Sequence, residues 1–118
     1  MTIGAETELQ AAELYKKEGY TILAQNYRYY SIGRGQKAEL DIIATQKNIL
    51  VCVEVKYRKV GSLVSALQSI TPKKITLMQS CILDFIKHNK KYSQYLIRFD
   101  AVVVDGKKLE ILKNIIQF

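Results

Sequence analysis

Asp41 and the triplet Glu54-Val55-Lys56 are the side chains of this sequence best able to do chemistry together. Two carboxylates offer the hard oxygen ligands that Mg²⁺ prefers, and that ion commonly takes only one or two from a protein while keeping water and phosphate. An ion held in this way, Mg²⁺ or Mn²⁺, can activate water and balance charge building on a phosphodiester. Lys56 would then stand beside the attacked phosphate. A free lysine has a pKa of about 10.4, so it starts as a cation and suits electrostatic stabilisation better than base catalysis. The alternative is a buried Glu54–Lys56 ion pair with no metal, since charges in an apolar strand are costly unless paired or bound to an ion. An acid-x-lysine triplet is also short, and Asp105-Gly106-Lys107 repeats it in what reads as a solvated hairpin turn.

The flanking pattern says which elements must position these groups. Ile49 to Tyr57 is dominated by β-branched residues and predicts a strand. Alternation puts Ile49, Val51, Val53 and Val55 on one face, and Leu50, Cys52, Glu54 and Lys56 on the other. Glu39 to Thr45 predicts a partner strand on which Glu39, Asp41 and Ile43 share a face opposite Leu40 and Ile42. Gln46-Lys47-Asn48 is the turn between them, so a hairpin should bring Asp41 near Glu54. Before it, Thr7 to Glu18 predicts a helix ended by Gly19, and Tyr20 to Tyr30 a strand. Ser31 to Lys37 reads as a turn around Gly33 and Gly35. Arg58 to Ile70 has no clear pattern. Thr71 and Pro72 then open a second helix with Ile75, Met78, Ile82 and Phe85 or Ile86 as its apolar stripe. Ile97 to Val104 and Leu109 to about Ile115 predict two further strands joined at Asp105-Gly106. The order is α-β-β-β-α-β-β, an α/β fold with a mixed central sheet flanked by helices.

Glu8 is a third acid of interest. Helical spacing stacks it with Ala11, Ala12 and Tyr15, so it can point inward toward the site. A first-turn glutamate favoured by the helix dipole explains it equally well. Lys73 and Lys74 pose the reverse question, because cations in a first turn oppose the dipole. A phosphate bound at that helix end would offset both; exposed lysines on a tolerant surface are the plainer account. Gln68 can touch substrate or merely occupy a loop. Tyr27, Tyr29 and Tyr30 can stack on bases, although strand tyrosines are more often packing.

The formal charge is +7 and the sequence pI is about 9.4, an excess that attracts polyanions. Arg28, Arg34 and Lys37 fall in one stretch without acids, and Lys56, Arg58, Lys59, Lys73 and Lys74 in another. Nucleic acid is the expected partner; solvated surface is the alternative. A chain of 118 residues suits a single domain spanning 1–118 with its own core. One histidine and two cysteines, Cys52 and Cys81, exclude a four-ligand structural zinc site. Both cysteines lie in apolar runs and read as buried free thiols of a reducing compartment. No secretory leader is legible at the acidic N-terminus and no apolar run would cross a bilayer. We therefore expect a soluble, cytoplasmic protein without membrane contact. There is no P-loop around Gly33-Arg34-Gly35 and no G-x-S-x-G nucleophile elbow.

The whole constellation resembles the YraN-like family of small bacterial proteins, related to archaeal Holliday junction resolvases within the PD-(D/E)xK nuclease superfamily. Glu8 and Ala11, Gly19-Tyr20 and Asn26-Tyr27-Arg28 match its opening helix and first strand. Glu39-Leu40-Asp41-Ile42-Ile43-Ala44 and Val53-Glu54-Val55-Lys56-Tyr57-Arg58 match its two most informative strands. Lys74 and Arg98-Phe99-Asp100 match a helix lysine and an Arg-Phe-Asp strand. The resemblance implies a restriction-endonuclease-like core and a metal-dependent endonuclease acting on structured or branched DNA, as a homodimer. Asp41, Glu54 and Lys56 would be catalytic with Glu8 as accessory acid, and Asp41 and Glu54 would hold the metal. Arg28, Arg34, Lys37, Arg58, Lys73 and Lys74 would face nucleic acid. Ala38 stands where the family usually has glycine, which reduces backbone freedom there. A nucleic-acid-binding protein that keeps this fold without cutting is the alternative.

Overall fold

The computed structural model describes residues 3–30, 35, 37–58, 70–106 and 108–116, without the side chains of Ile3 and Arg58. Helix α1 (Ile3–Lys17) is followed by strands β1 (Thr21–Tyr30), β2 (Lys37–Gln46) and β3 (Ile49–Arg58), helix α2 (Pro72–His88), and strands β4 (Leu96–Asp105) and β5 (Lys108–Leu112). This is the expected α/β order. Spatial order in the five-stranded sheet follows sequence order. The neighbours β1/β2, β2/β3 and β4/β5 are antiparallel, whereas β3 and β4 are parallel and joined through α2.

Boundaries differ from expectation where local pattern was silent. Helix α1 begins earlier, at Ile3, and β5 stops at Leu112 rather than near Ile115. Past Leu112 the Asn114 amide donates to Asp100 and the Ile115 amide to the Phe99 carbonyl, so the chain leaves the β5 edge. A single 3-10 turn, Lys90–Tyr92, sits between α2 and β4 and was not anticipated. Gly19 ends α1 as expected: its φ is +91°, and a Cβ there would lie 2.9 Å from Gln46 Nε2.

Strand β3 is the centre of the core. Leu50 and Cys52 pack under α2 with Met78, Cys81, Ile82, Phe85 and Phe99. Val51 and Val53 face α1, with Ala11, Ala12, Tyr15, Val102 and Val104. The alternation expected for β3 holds. In β2 it does not: Leu40 joins the α2-side cluster and Ile42 the α1-side cluster. The phase changes at Asp41, a position opposite Asn26 that the β1/β2 register skips, and Asn26 has φ +54°. A left-handed residue in β1 lets both strands turn their faces. No helix among the described residues is long and apolar enough to cross a membrane.

Candidate active site

The β2/β3 ladder runs from Gln46↔Ile49 to Ile42↔Val53. One further step along that register sets Asp41 opposite Glu54, and the Glu54 carboxylate is close enough for its charge to act on Asp41. There the backbone pairing stops, and the Asp41 carboxylate takes over: its Oδ2 accepts the Val55 amide at 2.7 Å. This bond fixes Asp41 at the point where β2 and β3 part. It also lowers the proton affinity of Asp41, by more than either Glu8 or Glu39 raises it but by less than burial or Glu54 does. Burial, then the negative field of Glu54, then those of Glu8 and Glu39, push its carboxyl up to about 7.

Glu54 is 4 % exposed. It is held by two lysines on the same oxygen: Lys74 Nζ lies 2.9 Å and Lys56 Nζ 3.4 Å from Oε1. Lys56 comes from the same face of β3, two residues on. Lys74 comes from the first turn of α2, which Thr71 caps by accepting the Lys74 amide at 3.2 Å. The dipole cost of a cation at that end is offset by Glu54 itself. Glu8, in α1, is near enough to raise the Asp41 proton affinity. The fold thus brings Glu8, Asp41, Glu54, Lys56 and Lys74 to one place.

The remaining basic residues divide. Arg28 and Lys37 both lean on Glu39 Oε2, at 3.6 and 3.9 Å. The stretch without acids in sequence therefore acquires one in space, through the Arg28↔Glu39 register. Lys73 is exposed at the start of α2. Arg34, Gln68 and the side chain of Arg58 lie outside the described residues. Tyr27 packs on Phe85 and donates to Asp84 at 2.6 Å, the packing role typical of strand tyrosines. Ala38 is buried in β2 and does not have positive φ, so the strand has no need of glycine there.

The chain matches the family model described as uncharacterised protein family UPF0102 over residues 7–104. It belongs to that family. A UPF0102 protein of Francisella tularensis subsp. tularensis (strain WY96-3418) is 32% identical over 112 residues, covering 95% of this chain and 92% of the relative. One from Fusobacterium nucleatum is 33% identical over 114 residues, covering 97% and 90%. One from Desulfosudis oleivorans is 37% identical over 113 residues, covering 94% and 86%. UPF0102 is the YraN-like family that the strand motifs resembled, and the family match runs from within α1 to the next-to-last residue of β4.

The donor set fits a hard divalent cation. Two adjacent carboxylates, one of them holding its proton to about 7, form a site whose negative charge an ion would relieve. Among the described residues no three of His, Cys, Asp and Glu gather as a ready-made cage. An ion here would therefore draw the rest of its shell from water and substrate oxygens.

Arg98-Phe99-Asp100, treated above only as a strand motif, forms a second polar cluster that the sequence reading did not anticipate. Asp100 is fully buried in β4 and accepts both prongs of Arg98, at 2.9 and 2.8 Å. It also accepts the Tyr15 hydroxyl at 2.8 Å and the Asn114 amide at 2.9 Å. Arg98 donates onward to the Tyr20 hydroxyl at 2.8 Å. Burial and the Asp100 charge push the Tyr15 hydroxyl far up, so it stays a donor. The signal was available: Arg98 and Asp100 share a face of an apolar strand, by the same two-residue rule that singled out Glu54 and Lys56.

Proposed function

We propose that this chain is a metal-dependent endonuclease that hydrolyses phosphodiester bonds in structured or branched DNA. The observation that carries the reading is the opposition of Asp41 and Glu54 at the parting of β2 and β3, with lysines from two elements on Glu54. Asp41 and Glu54 are the residues that would hold Mg²⁺ or Mn²⁺. A bound ion supplies a more acidic water and neutralises charge on the phosphate. Asp41 must give up its proton to take part, and the Val55 amide keeps the freed carboxylate aimed at the site. Lys56, in reach of Glu54, holds a positive charge where the phosphate oxygens gain negative charge. Lys74 exchanges Glu54 for a substrate oxygen once that carboxylate is engaged elsewhere. Glu8 adds a further acid at the rim, oriented by α1.

Incubation of the purified protein with a labelled four-way junction and Mg²⁺ or Mn²⁺ tests this. Nicking by the wild type that Glu54→Ala abolishes is the expected result. Equal background cleavage by both proteins would overturn it. The tight Lys74–Glu54 pair favours a second reading, in which the site is a closed ion pair and the protein binds nucleic acid without cutting. Under that reading, binding survives the loss of Asp41 and Glu54 and is indifferent to metal.

A further inference from the structure

We infer that the end of the molecule remote from Asp41 and Glu54 is a second contact for the backbone of a nucleic-acid duplex, made by Lys17, Lys47, Lys87, Lys90 and Lys91. The inference deepens the nucleic-acid part of the function proposed above and does not require that the protein cut. The five lysines come from separate segments: the end of α1, the β2–β3 turn, the last turn of α2 and the 3-10 turn beyond it. All five are exposed.

Specific bonds gather these segments at one end of the sheet. Gln46 Nε2 donates to the Glu18 carbonyl at 2.9 Å, tying the end of α1 to the end of β2. The Leu96 amide donates to the Asn48 carbonyl at 2.9 Å, tying the start of β4 to the β2–β3 turn. Asn89 Nδ2 donates to the Phe85 carbonyl at 2.9 Å, and Tyr92 stacks on Phe85, which fixes the 3-10 turn against α2.

Among the described residues none of the five lysines forms an ion pair, while the carboxylates of this end are already engaged. Glu13 holds Lys16 at 3.2 Å and Glu18 holds Lys113 at 3.4 Å. Asp84 accepts the Tyr27 hydroxyl and faces His88. Helix dipoles account for Lys17 and Lys87, which close α1 and α2. They do not account for Lys47 or Lys90, nor for Lys91, whose ammonium has the Tyr92 ring 5.7 Å away but no carboxylate among the described residues. Like charges brought together from independent segments repel, and a polyanion offsets that repulsion while releasing its own counterions.

The geometry favours a stiff ligand. Helix α2, with 17 residues, spans about 25 Å. It leads from Lys73 and Lys74 beside the acidic site to Lys87 at the remote end. A duplex laid along it covers that span in about seven base pairs at about 3.4 Å each and stays nearly straight, since its persistence length is about 150 base pairs. It therefore meets Lys87, Lys90 and Lys91 first, and Lys17, which closes α1 on the opposite face of the sheet, only where it passes the end of the sheet. Between the two ends the exposed side chains of α2 include Thr76 and Leu83, and its one carboxylate, Asp84, is tied down. The aromatic rings of the remote end, Tyr92 and Tyr95, are partly buried against one another. Phosphate contact rather than base stacking is what this surface offers.

Fluorescence anisotropy with a labelled 20-base-pair DNA duplex in EDTA tests the inference, because no cleavage is needed. Lys90→Gln/Lys91→Gln and Lys108→Glu lower the net charge equally, the first at the remote end and the second on β5. Thermal midpoints check that both variants fold. The double variant is expected to weaken binding at least about tenfold near 100 mM salt, and to reduce the slope of log affinity against log salt by about two. Lys108→Glu should change affinity less than about twofold. An equal loss in both variants would reduce the effect to net charge and overturn the inference. So would absence of duplex binding by the wild type, or the same lysine dependence on anionic lipid vesicles alone. A protein that binds duplex through these lysines but never nicks a junction would sink the nuclease reading and leave this surface standing.

Discussion

At Asp41 the fold sets burial and three neighbouring acids against one hydrogen bond, and the proton wins until near neutrality. Its carboxyl is pushed from 3.8 up to about 7, chiefly by burial and then by Glu54. Between those values the folded protein holds a proton that the unfolded chain has lost. Stability therefore falls as pH rises across that window, because the native state binds more protons there. In EDTA, Asp41→Asn should remove that slope and raise the thermal midpoint at pH 8 by several degrees, since about 1 kcal/mol is worth about 4–8 °C in a small domain. The amide oxygen of Asn can still accept from Val55, so the fold is kept. Mg²⁺ should stabilise the wild type more at pH 8 than at pH 6, as its binding competes with that proton. A midpoint that is flat with pH, or unchanged by the substitution, would show that Asp41 does not carry the strain. Asp41 and Glu54 were legible in sequence because they interrupt apolar strands. Their electrostatic burden was not legible: it depends on Glu8 and Glu39, which only the fold brings near. The common face expected for Leu40 and Ile42 was misjudged for a similar reason, since strict alternation cannot register a left-handed Asn26 on the neighbouring strand.

Between elements, the Arg98–Asp100 pair does for α1 what the Lys74–Glu54 pair does for α2. Tyr15 belongs to α1, Tyr20 leads into β1, and Asp100 sits in β4, so one buried carboxylate ties three elements together. Every buried side-chain polar atom among the described residues has a partner, which makes the network expensive to disturb. Asp100→Asn removes the charge that Arg98 faces and should cost about 3 kcal/mol. Tyr15→Phe removes one of four donors to Asp100 and should cost about 1–2 kcal/mol. Urea denaturation measures both, and a double variant no worse than Asp100→Asn would confirm that they act in one network. Since α1 also carries Glu8, Tyr15→Phe should weaken Mg²⁺ response less than it weakens the fold. The individual strands were readable from alternation and the helices from their caps and stripes. The pairing of Tyr15 with Asp100 was not, because residues so distant in sequence share no local signal.

For the whole molecule, the two layers on either side of β3 decide what can open. Cys52 in β3 and Cys81 in α2 lie in the same layer, both fully buried. Burial drives the Cys52 thiol well up and, with Asp84 nearby, the Cys81 thiol to about 12. Neither is a thiolate at neutral pH, so an alkylating reagent must wait for an opening. Lifting α2 off the sheet uncovers both sulfurs at once, because Cys52 belongs to the cluster that packs under α2. Single-thiol variants Cys52→Ala and Cys81→Ala should therefore label at rates within about twofold of each other, after correction for their stability. If Cys81 reacts at least about tenfold faster, α2 frays without exposing β3, and the Lys74–Glu54 contact becomes a hinge rather than a clasp. Lys74→Gln distinguishes these directly. A clasp that holds the whole layer makes both thiols faster when it is cut, whereas a local contact at one helix end leaves Cys52 as it was.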